Sequence, residues 1–117
     1  MARLSTHVLD TSRGTPAAGV EVSISILEKG APRRLKAAVT NSDGRTDEPL
    51  LSGDSLTVGV YELIFSAGAY FRRMGEKLSE PPFLDEVAIR FGISDPHGDY
   101  HVPLLIAPHG YSTYRGS

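Results

Sequence analysis

The feature that most constrains this chain is an alternation of apolar and polar residues with a period of two, repeated along most of its length. In the stretch 20–26, Val20, Val22, Ile24 and Ile26 alternate with Glu21, Ser23 and Ser25. Successive side chains of a strand point to opposite faces, so this pattern specifies a half-buried strand. The stretch 86–93 repeats it with Val87, Ile89, Phe91 and Ile93 on one face. Segments 33–40 and 56–65 read as further strands, the second apolar on both faces. Turn formers punctuate the pattern at Gly14-Thr15-Pro16, Lys29-Gly30, Ser42-Asp43-Gly44, Ser52-Gly53-Asp54, Pro81-Pro82 and Pro96-His97-Gly98. Only SAGAYFRRMGE (66–76) breaks the rhythm, and it predicts a short helix with Gly75 near its C-cap. Seven or eight short strands with regular turns predict an all-β fold, an antiparallel two-sheet β-sandwich. Without linkers or repeats, residues 1–117 are expected to form one domain.

Parity also assigns directions to the histidines. In the first strand, Leu4, Thr6 and Val8 share one face and Ser5, His7 and Leu9 the other. Around 100–107, Tyr100, Val102, Leu104 and Ile106 form the more continuous apolar set and so the core face. His101 then points outward beside Pro103, Leu105 and Ala107. An outer face this apolar is expected to be covered by another subunit, since large exposed apolar patches are uncommon on monomers. Two imidazoles meet there if His7 lies on the same face. Pro103 removes a ladder donor, so it is expected at an edge-facing or bulged position.

Several function classes are excluded by composition. The formal net charge is −2, and basic residues pair only at Arg33-Arg34 and Arg72-Arg73, too few for a phosphate-tracking patch. Nucleic acid is therefore not an expected partner. The absence of cysteine rules out disulfides, thiolate metal sites and a cysteine nucleophile. No HExxH or His-x-His spacing occurs, so no metal is expected. No apolar run approaches ~18 residues, and the first residues do not resemble a signal peptide. A cytoplasmic protein without membrane contact is the expectation.

Three stretches resemble a known family: STHVLDTSRGTPAAGVEV (5–22), TNSDGRTD (40–47) and YHVPLLIAPHGYSTYRGS (100–117). The closing YRGS after an HVPLL strand, with histidine in a THVLDT opening, is the most specific part. On these motifs the chain is similar to 5-hydroxyisourate hydrolases, which share the transthyretin fold. The resemblance implies a two-sheet sandwich with one short helix, assembled as a homotetramer whose active sites lie in a channel between dimers. It implies hydrolytic ring opening of 5-hydroxyisourate in purine catabolism, without metal or organic cofactor. The family's functional positions fall on His7, Arg45, His101 and Tyr114-Arg115-Gly116-Ser117. His7, Arg45, His101 and Ser117 are thereby implied as catalytic, and His7, Arg45, Tyr114, Arg115 and Gly116 as substrate-binding. Asp99 and His109 depart from residues common in the family and alter rim charge rather than the reaction.

The chemistry suits these residue types. Opening a cyclic amide with water needs a proton acceptor and donors for the developing oxyanion. Imidazole, with an unperturbed pKa of ~6.5, exchanges protons near neutrality. Either His7 or His101 can be the base, with the other in the complementary role. Arg45 offers a planar fork of donors to ring carbonyls. Ser117 could hydrogen-bond the ring or help activate water, and no nucleophile elbow surrounds it. Taken singly, a strand histidine is more often structural, Arg45 reads as a turn arginine paired with Asp43 or Asp47, and His97 and His109 read as surface residues. Two other functions stay open: a non-enzymatic small-ligand carrier of transthyretin type, and a β-sandwich interaction module.

Overall fold

The computed structural model describes residues 2–116. Nine strands form among them: β1 (Arg3–Asp10), β2 (Thr15–Pro16), β3 (Glu21–Glu28), β4 (Ala31–Val39), β5 (Leu51–Ser52), β6 (Gly59–Ser66), β7 (Glu86–Ile93), β8 (Asp99–Ala107) and β9 (Gly110–Thr113). One helix, α1 (Ala67–Arg73), follows β6 directly. The strands make two sheets, one ordered β2-β1-β8-β9 with β5 also on β1, the other β4-β3-β6-β7. This is the expected two-sheet sandwich, with one difference in direction. All pairs are antiparallel except β1 and β8, which run parallel over their whole length. Parallel neighbours need a long crossover, and here nearly the entire chain supplies it.

Parity decides what enters the core. Leu4, Val8, Tyr100, Val102, Leu104 and Ile106 meet Val22, Ile24, Tyr61, Leu63, Phe65, Val87 and Ile93 from the other sheet, all buried. Each large side chain removed from water stabilises the fold by about 1.5–3 kcal/mol before entropy is counted. Segment 56–65 departs from its expected reading. Leu56 is buried ahead of the strand, and β6 buries Tyr61, Leu63 and Phe65 on one face only. Its other face carries exposed Val60 and half-buried Glu62 and Ile64, because no element among the described residues covers that side.

The turns behave as their residues dictate. Lys29 and Gly30, both with positive φ (53° and 80°), close the β3–β4 hairpin as a two-residue primed turn. The helix ends as expected at Gly75 (φ 87°), where Gly75 N–H donates to the Arg72 carbonyl and Glu76 N–H to that of Phe71. That pair of bonds is a Schellman cap. Pro103 lies in an inner strand without a bulge, opposite His7. Its carbonyl accepts from the Thr113 hydroxyl at 2.7 Å, so its nitrogen faces the β9 side. The β8–β9 pairing begins only at Leu104, and the missing N–H therefore falls where no ladder bond is made.

A buried carboxylate ties the helix to the sheets. The Asp10 side chain, 0% exposed, accepts from Ser12 N–H and Oγ–H, from the Arg13 guanidinium, and from the Tyr70 hydroxyl at 2.8 Å. Burial alone would raise its pKa, but the hydrogen bonds from Ser12, Tyr70 and Arg13 outweigh burial and hold it below its usual 3.8. Burial first, and then the bond to the Asp10 carboxylate and its charge, push the Tyr70 hydroxyl up to about 12, against the opposing pull of the Arg13 and Arg73 cations. Tyr70→Phe is expected to lower stability by about 1.5–3 kcal/mol, the range for a bond to a charged group, in urea unfolding at pH 7. Since the carboxylate pKa is depressed on folding, stability should fall as pH drops through and below 3.8, more steeply in the wild type than in Asp10→Asn.

Candidate functional site

The site forms on the outer face of the β1–β8 sheet, and register builds it. Ser5 lies opposite His101, His7 opposite Pro103 and Leu9 opposite Leu105. Both imidazoles therefore project from the same face on adjacent strands, two positions apart along the ladder. Each is half-buried. The His101 Nδ1 lies 2.8 Å from Ser5 Oγ. Pro103, opposite His7, offers no polar side chain, and His7 finds its partner elsewhere.

That partner comes from the loop after β4. Thr40 anchors the loop by donating its hydroxyl to the Ala17 carbonyl and accepting from Val20 N–H. Asn41 then organises it, its Oδ1 accepting from the N–H groups of Asp43 and Arg45 and its own N–H donating to the Arg45 carbonyl. Gly44 (φ 79°) presses against β1, where a Cβ would collide with the Val8 carbonyl oxygen. Its carbonyl accepts from Val8 N–H at 2.8 Å, and Arg45 forms a bridge with His7. The segment thus fills the edge of β1 between β5 and β2. It also brings the Asp43 carbonyl to 2.9 Å from His7 Nε2. A carbonyl only accepts, so Nε2 carries the proton and neutral His7 has its lone pair on Nδ1.

Arg45 is half-exposed, its Nε 3.1 Å from an Asp43 carboxylate oxygen. The remaining guanidinium donors stay available beside a groove of about 270 Å³ lined by Ser5, Arg45, Thr46, Asp47 and Glu48 among others. His101 is held below its usual 6.5, first by burial, then by the Arg45 cation and by His7. The ring is therefore neutral near pH 7, in the state that can accept a proton. Among the described residues, no three His, Asp or Glu side chains converge as a metal-ligand group.

The tail reaches the same place from the other strand edge. Gly116 N–H donates to the His101 carbonyl at 2.8 Å. A Cβ at Gly116 would sit 2.7 Å from His101 Cδ2, so only glycine lets the backbone pass this close to the ring. Arg115 is turned to the opposite side, its guanidinium 4.2 Å above the Tyr100 ring. Tyr114 is exposed. The structure thus brings His7, Arg45, His101 and Gly116 together, and sets the Arg115 side chain apart from them. Ser117 lies outside the described residues. His97 and His109 are exposed in loops, the latter against Phe83. Parity grouped Ser5 with His7, but its place on this face and its bond to His101 depend on the β1–β8 pairing. The Asp43 carbonyl carries no signal in the sequence, being a main-chain group.

A family model described as the HIUase/Transthyretin family matches residues 4–116. The "5-hydroxyisourate hydrolase 2" of Rhizobium meliloti is 54% identical over 115 residues, spanning 98% of this chain and 96% of that protein. A 5-hydroxyisourate hydrolase structure from Klebsiella pneumoniae is 43% identical with a TM-score of 0.82, covering 100% of both chains. The (S)-allantoin synthase structure superposes with a TM-score of 0.93 at 44% identity, covering 99% of this chain, which spans 44% of that longer one.

Titration of the imidazoles by NMR should place the His101 midpoint below 6.5. Arg45→Gln should raise it by removing the cation, yet leave it short of 6.5 because burial is the larger cause. Proton uptake at His101 should oppose folding as pH falls below 6.5, since the unfolded chain binds that proton more tightly.

Proposed function

The chain belongs to the HIUase/Transthyretin family, and from that premise we propose that it hydrolyses 5-hydroxyisourate in purine catabolism. Water adds to the cyclic amide carbonyl, the C–N bond breaks, and 2-oxo-4-hydroxy-4-carboxy-5-ureidoimidazoline is released. Full-length similarity at 54% to a protein of that name supports the reading. The observation that carries it is the convergence of two imidazoles and one guanidinium on a single sheet face.

The geometry suits the chemistry. Each imidazole has one nitrogen engaged, Nε2 of His7 and Nδ1 of His101, and the other free of protein partners among the described residues. Either free nitrogen can take a proton from water, that proton then passing to the departing ring nitrogen as the C–N bond breaks, with the other imidazole in the complementary role. The Arg45 fork meets the oxygen on which negative charge develops. Gly116 brings the tail onto His101, and Tyr114 and Ser117 are assigned to contacts with the substrate. Arg115, stacked on Tyr100, holds that tail and reaches substrate only at its margin.

The assembly we propose is a homotetramer, with the sites in a channel between dimers, in the cytoplasm. Half-buried Leu9, Leu105 and Ala107, beside a Pro103 already buried within the chain, supply an apolar surround that a second subunit would cover. No helix among the described residues is long and apolar enough to cross a membrane. A carrier role is disfavoured because cationic and imidazole groups, rather than an apolar slot, occupy the face.

Freshly generated 5-hydroxyisourate decays unaided, and its ultraviolet absorbance should disappear faster in proportion to protein added. His7→Asn and His101→Asn should each lower turnover by ~10²-fold or more, the scale of an acid–base group. A folded tetramer that leaves the decay unchanged would overturn the hydrolase reading and favour the carrier.

A further inference from the structure

Among the described residues, His101 has a hydrogen-bond partner on one side of its ring only. Nδ1 adjoins Cγ and lies close to the sheet, where only a residue directly across the ladder can reach it. Parallel in-register pairing puts Ser5 there, with Oγ at 2.8 Å. Ser5 makes no other side-chain hydrogen bond among the described residues. A serine hydroxyl can donate or accept, so contact alone does not assign the proton. The surroundings do. The Arg45 cation and His7 both bear on this ring. A positive neighbourhood favours an imidazole that turns its lone pair toward it and keeps its N–H elsewhere. Among the described residues, nothing binds Nε2 as Ser5 Oγ binds Nδ1.

We infer that Ser5 is a positioning residue for His101: its Oγ accepts the Nδ1–H, which fixes the ring plane and leaves the Nε2 lone pair facing the site as the base. This rests on the hydrolase reading and settles which histidine begins the reaction. Nε2 takes one proton from water as the water oxygen bonds the carbonyl carbon. The C–N bond then breaks and the proton passes to the departing ring nitrogen, so the imidazole ends neutral. His7, with its proton on Nε2 toward Asp43, is left to orient the water and substrate. The logic is that of any base oriented by a third group, with a neutral hydroxyl in place of a carboxylate. A neutral partner suits a base that must stay unprotonated near pH 7, because an adjacent carboxylate would raise its pKa.

The test uses the intact protein labelled with nitrogen-15, and the Ser5→Ala and Ser5→Thr variants, with folding and assembly checked first by circular dichroism and sedimentation. Long-range nitrogen–proton spectra above pH 7 should show wild-type His101 protonated on Nδ1, and Ser5→Ala should move proton population to Nε2. Turnover of 5-hydroxyisourate by Ser5→Ala should fall about tenfold, part of the ~10²-fold or more that an acid–base group supplies. KM should change less than twofold, and Ser5→Thr should restore both tautomer and rate. Wild-type His101 protonated on Nε2 would overturn the inference without any variant. So would an unchanged rate in Ser5→Ala when the wild type is active. A wild type that leaves the decay unaltered would instead remove the hydrolase reading beneath it.

Discussion

The parallel register of β1 against β8 is the constraint on which the rest depends. It joins the two ends of the chain in the middle of one sheet, Arg3 beside Asp99 and Asp10 beside Ile106. Because side chains alternate, the same pairing that buries Leu4, Val8, Tyr100 and Leu104 must lift Ser5, His7 and His101 onto the other face. A slip of one residue would exchange the two sets, exposing the core and burying the imidazoles. The apolar core thus enforces the position of the polar site, at no separate cost in folding energy.

On that base a loop and a tail act as clamps. The turn at Asn41–Arg45 is held by backbone and side-chain hydrogen bonds of its own, and docks as a short extra strand through Val8 and Gly44. It delivers two groups of opposite character, a carbonyl that dictates the His7 tautomer and a cation that suppresses protonation of His101. The tail enters from the β9 side, anchored by Gly116 on the His101 main chain and Arg115 on Tyr100. Both clamps rely on glycine where the backbone comes close to its neighbour: Gly44 against Val8, Gly116 against His101. Electrostatically the arrangement sets the Arg45 cation against a His101 ring that burial already inclines to the neutral form. That favours bases over acids and suits an oxyanion-forming reaction.

Much of the fold could be read from alternation. The core faces of β1, β7 and β8 follow parity residue by residue, and Gly75 ends the helix where a left-handed residue was needed. Segment 56–65 was harder, because Val58, Val60 and Ile64 look like core residues when burial of a face is inferred from composition alone. Val60 and Ile64 lie on the outward side of β6. Pro103 illustrates the same limit: its tolerance depends on where β9 stops, a fact of pairing rather than of local preference.

The site divides in the same way. Sequence by itself determined the fold class, the outward direction of His101 and, through the STHVLDT, TNSDGRTD and YRGS motifs, the family and its reaction. These rest on local alternation and on residue identity, both of which are properties of a string. That His7 shares the His101 face needed the strand pairing. Only the tertiary structure decided that Ser5 meets His101, that the Asp43 carbonyl meets His7, and that Arg115 turns to Tyr100 rather than to the imidazoles. Those contacts join residues up to 96 positions apart, or involve main-chain atoms common to every residue. Strand pairing, which places them, is set by the packing of the whole core and has no local signature.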